Sequence, residues 1–287
     1  METFAFDFQS ILSQLLQGLF YITVFFLLLL GAKWLKHFFS SYDLDEELVE
    51  KDNTAIALSY AGYCLSIAII FVAAYHGSSK GFGLDALEVI GYSLGGILLL
   101  NLSREINNKF ILTKFPVRKE LIEDQNAGTG IVEAAVYISS ALVIAGAIYG
   151  EGGGPLSALI FFLIGQIGLI LFAWIYERMI PYSFHHEIEQ DNVAAGTGFS
   201  GGLISIGIII MGAISGDVDN LQQDILAVVL DLGLVILFLI ILRFILDRII
   251  LRRSNLLDEI TRDQNLGAGI LEMVLAISFA TVLFFMI

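Results

Sequence analysis

Two glutamates, Glu133 and Glu272, interrupt long apolar runs, GTGIVEAAVYISSALVIAGA and GAGILEMVLAISFATVLFFM. Each stands nine residues after an aspartate, Asp124 or Asp263, that opens its run. At 1.5 Å per helical residue that is a depth of about 13 Å, near the middle of a hydrocarbon core roughly 30 Å thick. An acid there costs about 2.5–3.5 kcal/mol on insertion scales, so it is expected to turn inward, where it can bind a proton or a cation. The structural alternative is a neutral acid hydrogen-bonded to a neighbour such as Tyr137, Ser139, Ser278 or Gln166.

A second set of polar residues marks where apolar runs begin: Asp52-Asn53, Asp124-Gln125-Asn126, Asp191-Asn192 and Asp263-Gln264-Asn265. Such residues cap helices, their side-chain oxygens accepting from first-turn N–H groups, and the aspartates are the expected caps. Their other reading is a hard-cation site built from four carboxylates and the amides Asn53, Gln125, Asn192 and Gln264. The glycines after Asn126 do not form a phosphate cradle, because no Lys-Ser/Thr follows and no strand precedes. They suit close helix contact instead, as do Gly91/Gly95, Gly146/Gly150 and Gly198/Gly202. His185-His186-Glu187 has metal-ligating types, but the corresponding loop has Glu46-Glu47-Leu48 and no histidine, so no metal is expected. No nucleophile–base pair recurs at matching depth, and the chain is not expected to be an enzyme or to carry a cofactor. Nucleic acid is not among the expected partners.

The elements that must position these residues follow from composition. Of 287 residues 57% are hydrophobic and 15% charged, the charges gathered into short stretches. Eight runs reach the roughly 20 residues a membrane helix needs: 11–37, 54–76, 84–103, 126–148, 155–176, 193–215, 225–246 and 266–286. They are apolar on nearly all sides, which excludes the alternation of a barrel strand. The expected class is all-α and polytopic. Asp231 is a third acid inside a run. Of the 15 Lys and Arg, all but Lys80 fall in or beside the loops after the first, third, fifth and seventh runs. The positive-inside rule places those loops in the cytoplasm and both termini outside. No cleaved signal is expected, and Cys64, the single cysteine, cannot form an intrachain disulfide.

The chain repeats itself. Asp52 and Asp191, and Asp124 and Asp263, are both 139 residues apart. The same register superposes Gly62 on Gly201, Arg104 on Arg243, Gly130 on Gly269 and Glu133 on Glu272. A weaker repeat of 72 residues within each half makes the unit a helical hairpin. Residues 1–150 and 151–287 are therefore read as two four-helix units, giving four parallel hairpins about a pseudo-two-fold axis. QNAGTGIVEA and QNLGAGILEM, with the four acidic-amide helix starts, resemble the bacterial inner-membrane family of unknown function typified by YjfL, domain of unknown function 350. The resemblance implies an inner-membrane protein without an assigned activity. Two functions fit these residues: a cation or proton channel or transporter using paired midplane glutamates, and a scaffold recruiting cytoplasmic proteins through its inward loops. Membrane lipids are partners in either, and an oligomer is compatible with both.

Overall fold

The computed structural model describes residues 8–40, 42–77, 79–114, 116–149, 154–215, 221–245 and 255–286. The described residues form helices joined by short loops, as expected where a backbone out of reach of water must satisfy its own hydrogen bonds. The long helices are α1 (Phe8–Phe39), α2 (Thr54–Tyr75), α3 (Phe82–Phe110), α5 (Ala127–Ile148), α6 (Gly154–Met179), α8 (Val193–Ile214), α9 (Leu221–Ile245) and α10 (Leu266–Met286). Two short helices, α4 (Val117–Ile122) and α7 (Phe184–Glu189), and two π turns, Glu46–Glu50 and Asp258–Arg262, precede α5, α8, α2 and α10 respectively. Among the described residues, seven long helices are apolar and long enough to cross a membrane. The run expected at 225–246 falls on α9, in which Ile225–Phe238 is a shorter apolar stretch.

The packing unit is not the hairpin. The closest packing joins α2 to α5, α5 to α8 and α8 to α10, while α1 barely touches α2. These four inner helices stand side by side and parallel. The outer helices α3, α6 and α9 lie over the joints, each against the preceding inner helix and the one that follows it in the chain. Glycines set the spacing. A Cβ on Gly130 would meet the Ala55 carbonyl at 2.5 Å, one on Gly196 the Gly128 carbonyl at 2.7 Å, and one on Gly269 the Ala194 carbonyl at 2.5 Å. Three successive joints thus use one contact, a glycine four residues after the cap on the later helix against a carbonyl two residues after the cap on the earlier. Gly91 and Gly95 do not pack in this way, since open space lies beside both. Gly198 faces Glu272 and Gly202 faces the Phe172 ring. Gly146 does meet a helix, the Met211 backbone of α8, and Gly150 lies outside the described residues.

The caps are asparagines rather than the expected aspartates. Asn53, Asn126 and Asn192 each accept the N–H three residues on, from Ile56, Thr129 and Ala195 at 3.1, 2.8 and 3.1 Å. Asn265 accepts from Gly267 at 3.0 Å. The residue just before each cap, Asp52, Gln125, Asp191 or Gln264, has a φ of 46–57°. That left-handed turn aims the asparagine side chain down the helix, so the aspartate cannot cap its own helix.

Each cap amide also donates to a glutamate earlier in its loop: Asn53 to Glu47 (2.9 Å), Asn126 to Glu120 (2.8 Å), Asn192 to Glu187 (2.7 Å) and Asn265 to Glu259 (2.7 Å). The first three donate a second bond, to the carbonyl of the residue after the glutamate in the next loop: Leu121 (2.8 Å), Ile188 (2.6 Å) and Ile260 (2.8 Å). One side chain therefore caps its helix, closes its own loop and ties that loop to the next.

Candidate functional site

Glu133 is wholly buried and held from two other helices. Arg104 Nε on α3 donates to its Oε1 at 2.8 Å, and Ser59 Oγ on α2 donates to its Oε2. Glu133 follows Ala127 by six residues, about 9 Å, in a helix of 22 residues about 33 Å long. It therefore sits in the third of α5 nearest the cap, because the helix starts after the cap rather than at Asp124. Arg104, read from sequence as a loop cation, lies inside α3, which runs on to Phe110.

Beside this pair, Lys36 near the end of α1 is buried, at 3% exposure. Its ammonium lies 4.7, 5.0 and 5.8 Å from the ring centres of Tyr137, Tyr63 and Tyr60. It donates to the Tyr137 hydroxyl at 3.3 Å. Three aromatic faces supply the quadrupole attraction that a second carboxylate would otherwise give. Asn101 on α3 donates to the Tyr63 hydroxyl at 3.1 Å, and that hydroxyl donates to the Ala32 carbonyl at 3.3 Å. The site thus brings Lys36, Arg104 and Glu133 together from α1, α3 and α5 with Ser59 and the tyrosines of α2, and Arg104 Nη1 also pairs outward with the exposed Glu105 at 3.1 Å.

Glu272 is also buried, at 6% exposure, but its setting differs. It lies against Gly198 of α8, where a Cβ would meet its Oε2 at 2.5 Å. In the 139-residue register Gly198 stands where Ser59 stands, Phe199 where Tyr60 stands, Gly202 where Tyr63 stands, Ile240 where Asn101 stands and Ala276 where Tyr137 stands. The corresponding part of α6, Trp174-Ile175-Tyr176, has no lysine. Of the buried network the second half retains only the glutamate and Arg243, whose side chain is outside the described residues. Glu133 is held by α2 and α3 and Glu272 lies against α8, and α8 is the helix that packs on both α5 and α10. The contacts described for the two carboxylates thus come from different helices.

The helix-start residues go elsewhere too. Asp124 pairs with Lys119 at 2.6 Å and Asp263 with Arg262 at 2.8 Å, while Asp191 accepts from the Gly128 N–H at 3.2 Å. Asp52 and Gln125 are exposed. No cluster of three metal-ligating residues occurs among the described residues. His185 contacts the Ile111 carbonyl at 2.8 Å and Glu177 at 3.1 Å, and Glu187 is taken by Asn192. Tyr137 serves Lys36 rather than Glu133, and Gln166 accepts from Asn107 at 3.0 Å. Asp231 is half-buried on α9. Counted from the caps, the residues matching the glutamates in the other two inner helices are Tyr60 and Phe199, not Ala61 and Ser200 as a count from the aspartates gives.

The sequence profile of the family named Domain of Unknown Function (DUF350) matches residues 10–148 and again 152–287. The chain belongs to that family and carries two copies of its unit. It is also similar to a UPF0719 transmembrane protein of Aquifex aeolicus (strain VF5), with 24% identity over 243 residues, 82% of this chain and 86% of the relative. No solved structure matches it. The chain is an integral membrane protein with a duplicated domain and several apolar helices.

Proposed function

We propose that this DUF350 member moves protons or small cations through its membrane, with the working site in the first half alone. The observation that carries this reading is the buried group of Lys36, Arg104 and Glu133 among apolar helices, in which Arg104 is shared between Glu133 inside and the exposed Glu105. A buried ionisable group in a membrane helix is expensive and points to function by default, and three gathered together support a path for ions or protons. Within the set the roles divide by chemistry. Arginine does not give up its proton, and its bond to Glu133 anchors that carboxylate. The ammonium of Lys36 has a proton to release, and it is held by donating to the Tyr137 hydroxyl at 3.3 Å. The cluster lies nearer the cap-loop end of α5, and the excess of Lys and Arg in the loops at that end supports a cytoplasmic side there.

Recruitment of cytoplasmic partners by the loops has less support. The loop charges are engaged with one another: Lys33 with Asp45, Lys51 with Glu46 and Glu47, Lys114 with Glu177, and Lys119 with Asp124.

The test is a proton-flux assay in reconstituted vesicles under an imposed potassium diffusion potential. The parent chain is expected to acidify or alkalinise the lumen faster than empty vesicles do, Lys36→Met to abolish the difference, and Glu272→Gln to leave it. A parent no faster than lipid alone, with potassium and sodium flux also at background, overturns the proposal, as does a Lys36→Met variant as active as the parent.

A further inference from the structure

The row of inner helices is built from one joint used three times, and both ends of the row present the two halves of that joint unfilled. At the α10 end, Asn265 is exposed, although Asn53, Asn126 and Asn192 are buried by their bond to the next loop. Leu266, Gly267, Ile270, Val274 and Ser278 form an exposed stripe on α10. Gly267 and Ile270 are the counterparts of Gly128 and Ile131, through which α5 receives α8. At the α2 end, Ala57, Ala61 and Leu65 are exposed. Ala57 and Ala61 match Gly196 and Ser200, which α8 sets against α5; Ser200 Oγ reaches the Ile131 carbonyl at 3.2 Å. Leu48, the counterpart of Leu121, Ile188 and Ile260, is only half-buried, whereas those three are buried. The outer layer shows the same opening. The most hydrophobic window of α1 is 11% buried within the chain, against 44% for that of α6, which rests on an inner helix at each side.

We propose that the surface at the α10 end binds the α2 end of a second copy of this chain, continuing the row head to tail. Asn265 of one copy then reaches the Leu48 carbonyl of the next, and α1 of that copy lies over the new joint as α3, α6 and α9 lie over the internal ones. The argument is continuity: the three internal joints define what each end accepts, and the two ends carry surfaces of matching residue order. The association is heterologous, so it yields a closed ring or an open chain of copies rather than a back-to-back dimer.

The joint between copies is looser than those within a chain. Its closest contact sets Ala57 against Gly267, where the internal joints have glycine on the later helix, and Val274 replaces the small residue found at Gly62, Ala135 and Gly201. One methyl at a contact of 2.5–2.7 Å forces the helices apart. Assembly is therefore reversible, and Ala57→Gly tightens it.

The experiment uses full-length chains in a Cys64→Ala background, co-expressed with two different tags. One carries Ala61→Cys and the other Val274→Cys, and membranes are treated with a short bis-maleimide. The expected product joins the two tags, with yield rising severalfold when Ala57→Gly is added to the first chain. Cross-links only between like tags overturn head-to-tail association. Native mass spectrometry of the unsubstituted chain, released with its lipids, guards against variants that misfold: multimers are expected for the parent and monomers for Ala57→Leu. A parent that is monomeric at every concentration overturns the proposal.

Discussion

Arg104 on α3 and Glu133 on α5 meet through a single Nε–Oε1 bond of 2.8 Å, with the carboxylate wholly buried and the guanidinium 15% exposed. Removing Arg104 strands a wholly buried carboxylate, a loss of about 3–5 kcal/mol, whereas removing Glu133 leaves Arg104 its pair with Glu105 at 3.1 Å. Arg104→Gln is expected to destabilise the chain by that order, and Glu133→Gln by less, in an unfolding titration in mixed micelles. The double variant should cost clearly less than the sum, because no charge is left stranded. Additive losses would mean that the two side chains act independently.

Glycine substitutions divide by what lies beside them. Gly130→Ala and Gly269→Ala place a methyl 2.5 Å from a carbonyl of the neighbouring helix, which a rigid backbone cannot yield to. Each is expected to lower stability by about 1–3 kcal/mol. Gly91→Ala and Gly95→Ala meet open space and should be neutral or stabilising by about 0.5–1 kcal/mol, since alanine restricts the unfolded chain more than glycine does. Thermal unfolding of the four variants checks the contrast, which fails if Gly91→Ala costs as much as Gly130→Ala.

The sequence showed the apolar runs, the duplication and the two glutamates, because each leaves a mark that periodicity or register reveals. It did not show that the glutamates differ. That difference lies in what three other helices bring to Glu133, and long-range partners such as Lys36 and Arg104 look like ordinary loop-end cations in a linear reading. The caps were assigned one residue or more too early, since Asp and Asn are both good caps and only the left-handed turn before the asparagine decides between them. A signal for the loop ties was present: Glu47 and Asn53, Glu120 and Asn126, and Glu259 and Asn265 share one spacing, with Glu187 and Asn192 one residue closer. The surrounding acids of each loop masked it.

Gln125 tests the turn itself. Its φ of 50° is a conformation in which a side chain crowds the following carbonyl, at a cost of roughly 1–2 kcal/mol, and glycine escapes most of it. Gln125→Gly is expected to leave stability unchanged or raise it by about 1 kcal/mol despite the extra freedom of the unfolded chain. Gln125→Val should lower it by at least as much. A glycine variant less stable than the valine one would show that the glutamine side chain, not the turn, matters here.

The tie glutamates respond to pH in opposite senses. Burial pushes the Glu47 carboxyl up, but hydrogen bonds from Lys51 and Asn53 outweigh it and leave it below the ordinary value of 4.5. Glu120 has the burial and the Asn126 bond, while Lys119 is committed to Asp124; burial prevails and its carboxyl is raised above 4.5. A group raised on folding supports the folded state below its unfolded value and loses that contribution as pH climbs through the folded one. Ionised Glu120 is therefore a burden at neutral pH. Glu120→Gln keeps an oxygen that accepts from Asn126 and removes the charge, so the variant is expected to melt higher than the parent at pH 7. The gap should close as the pH falls through and well below 4.5, where the parent carboxyl becomes protonated in both states. Melting curves of parent and variant between pH 8 and 4 decide it, and a variant less stable at pH 7 would mean that the tie needs the full negative charge.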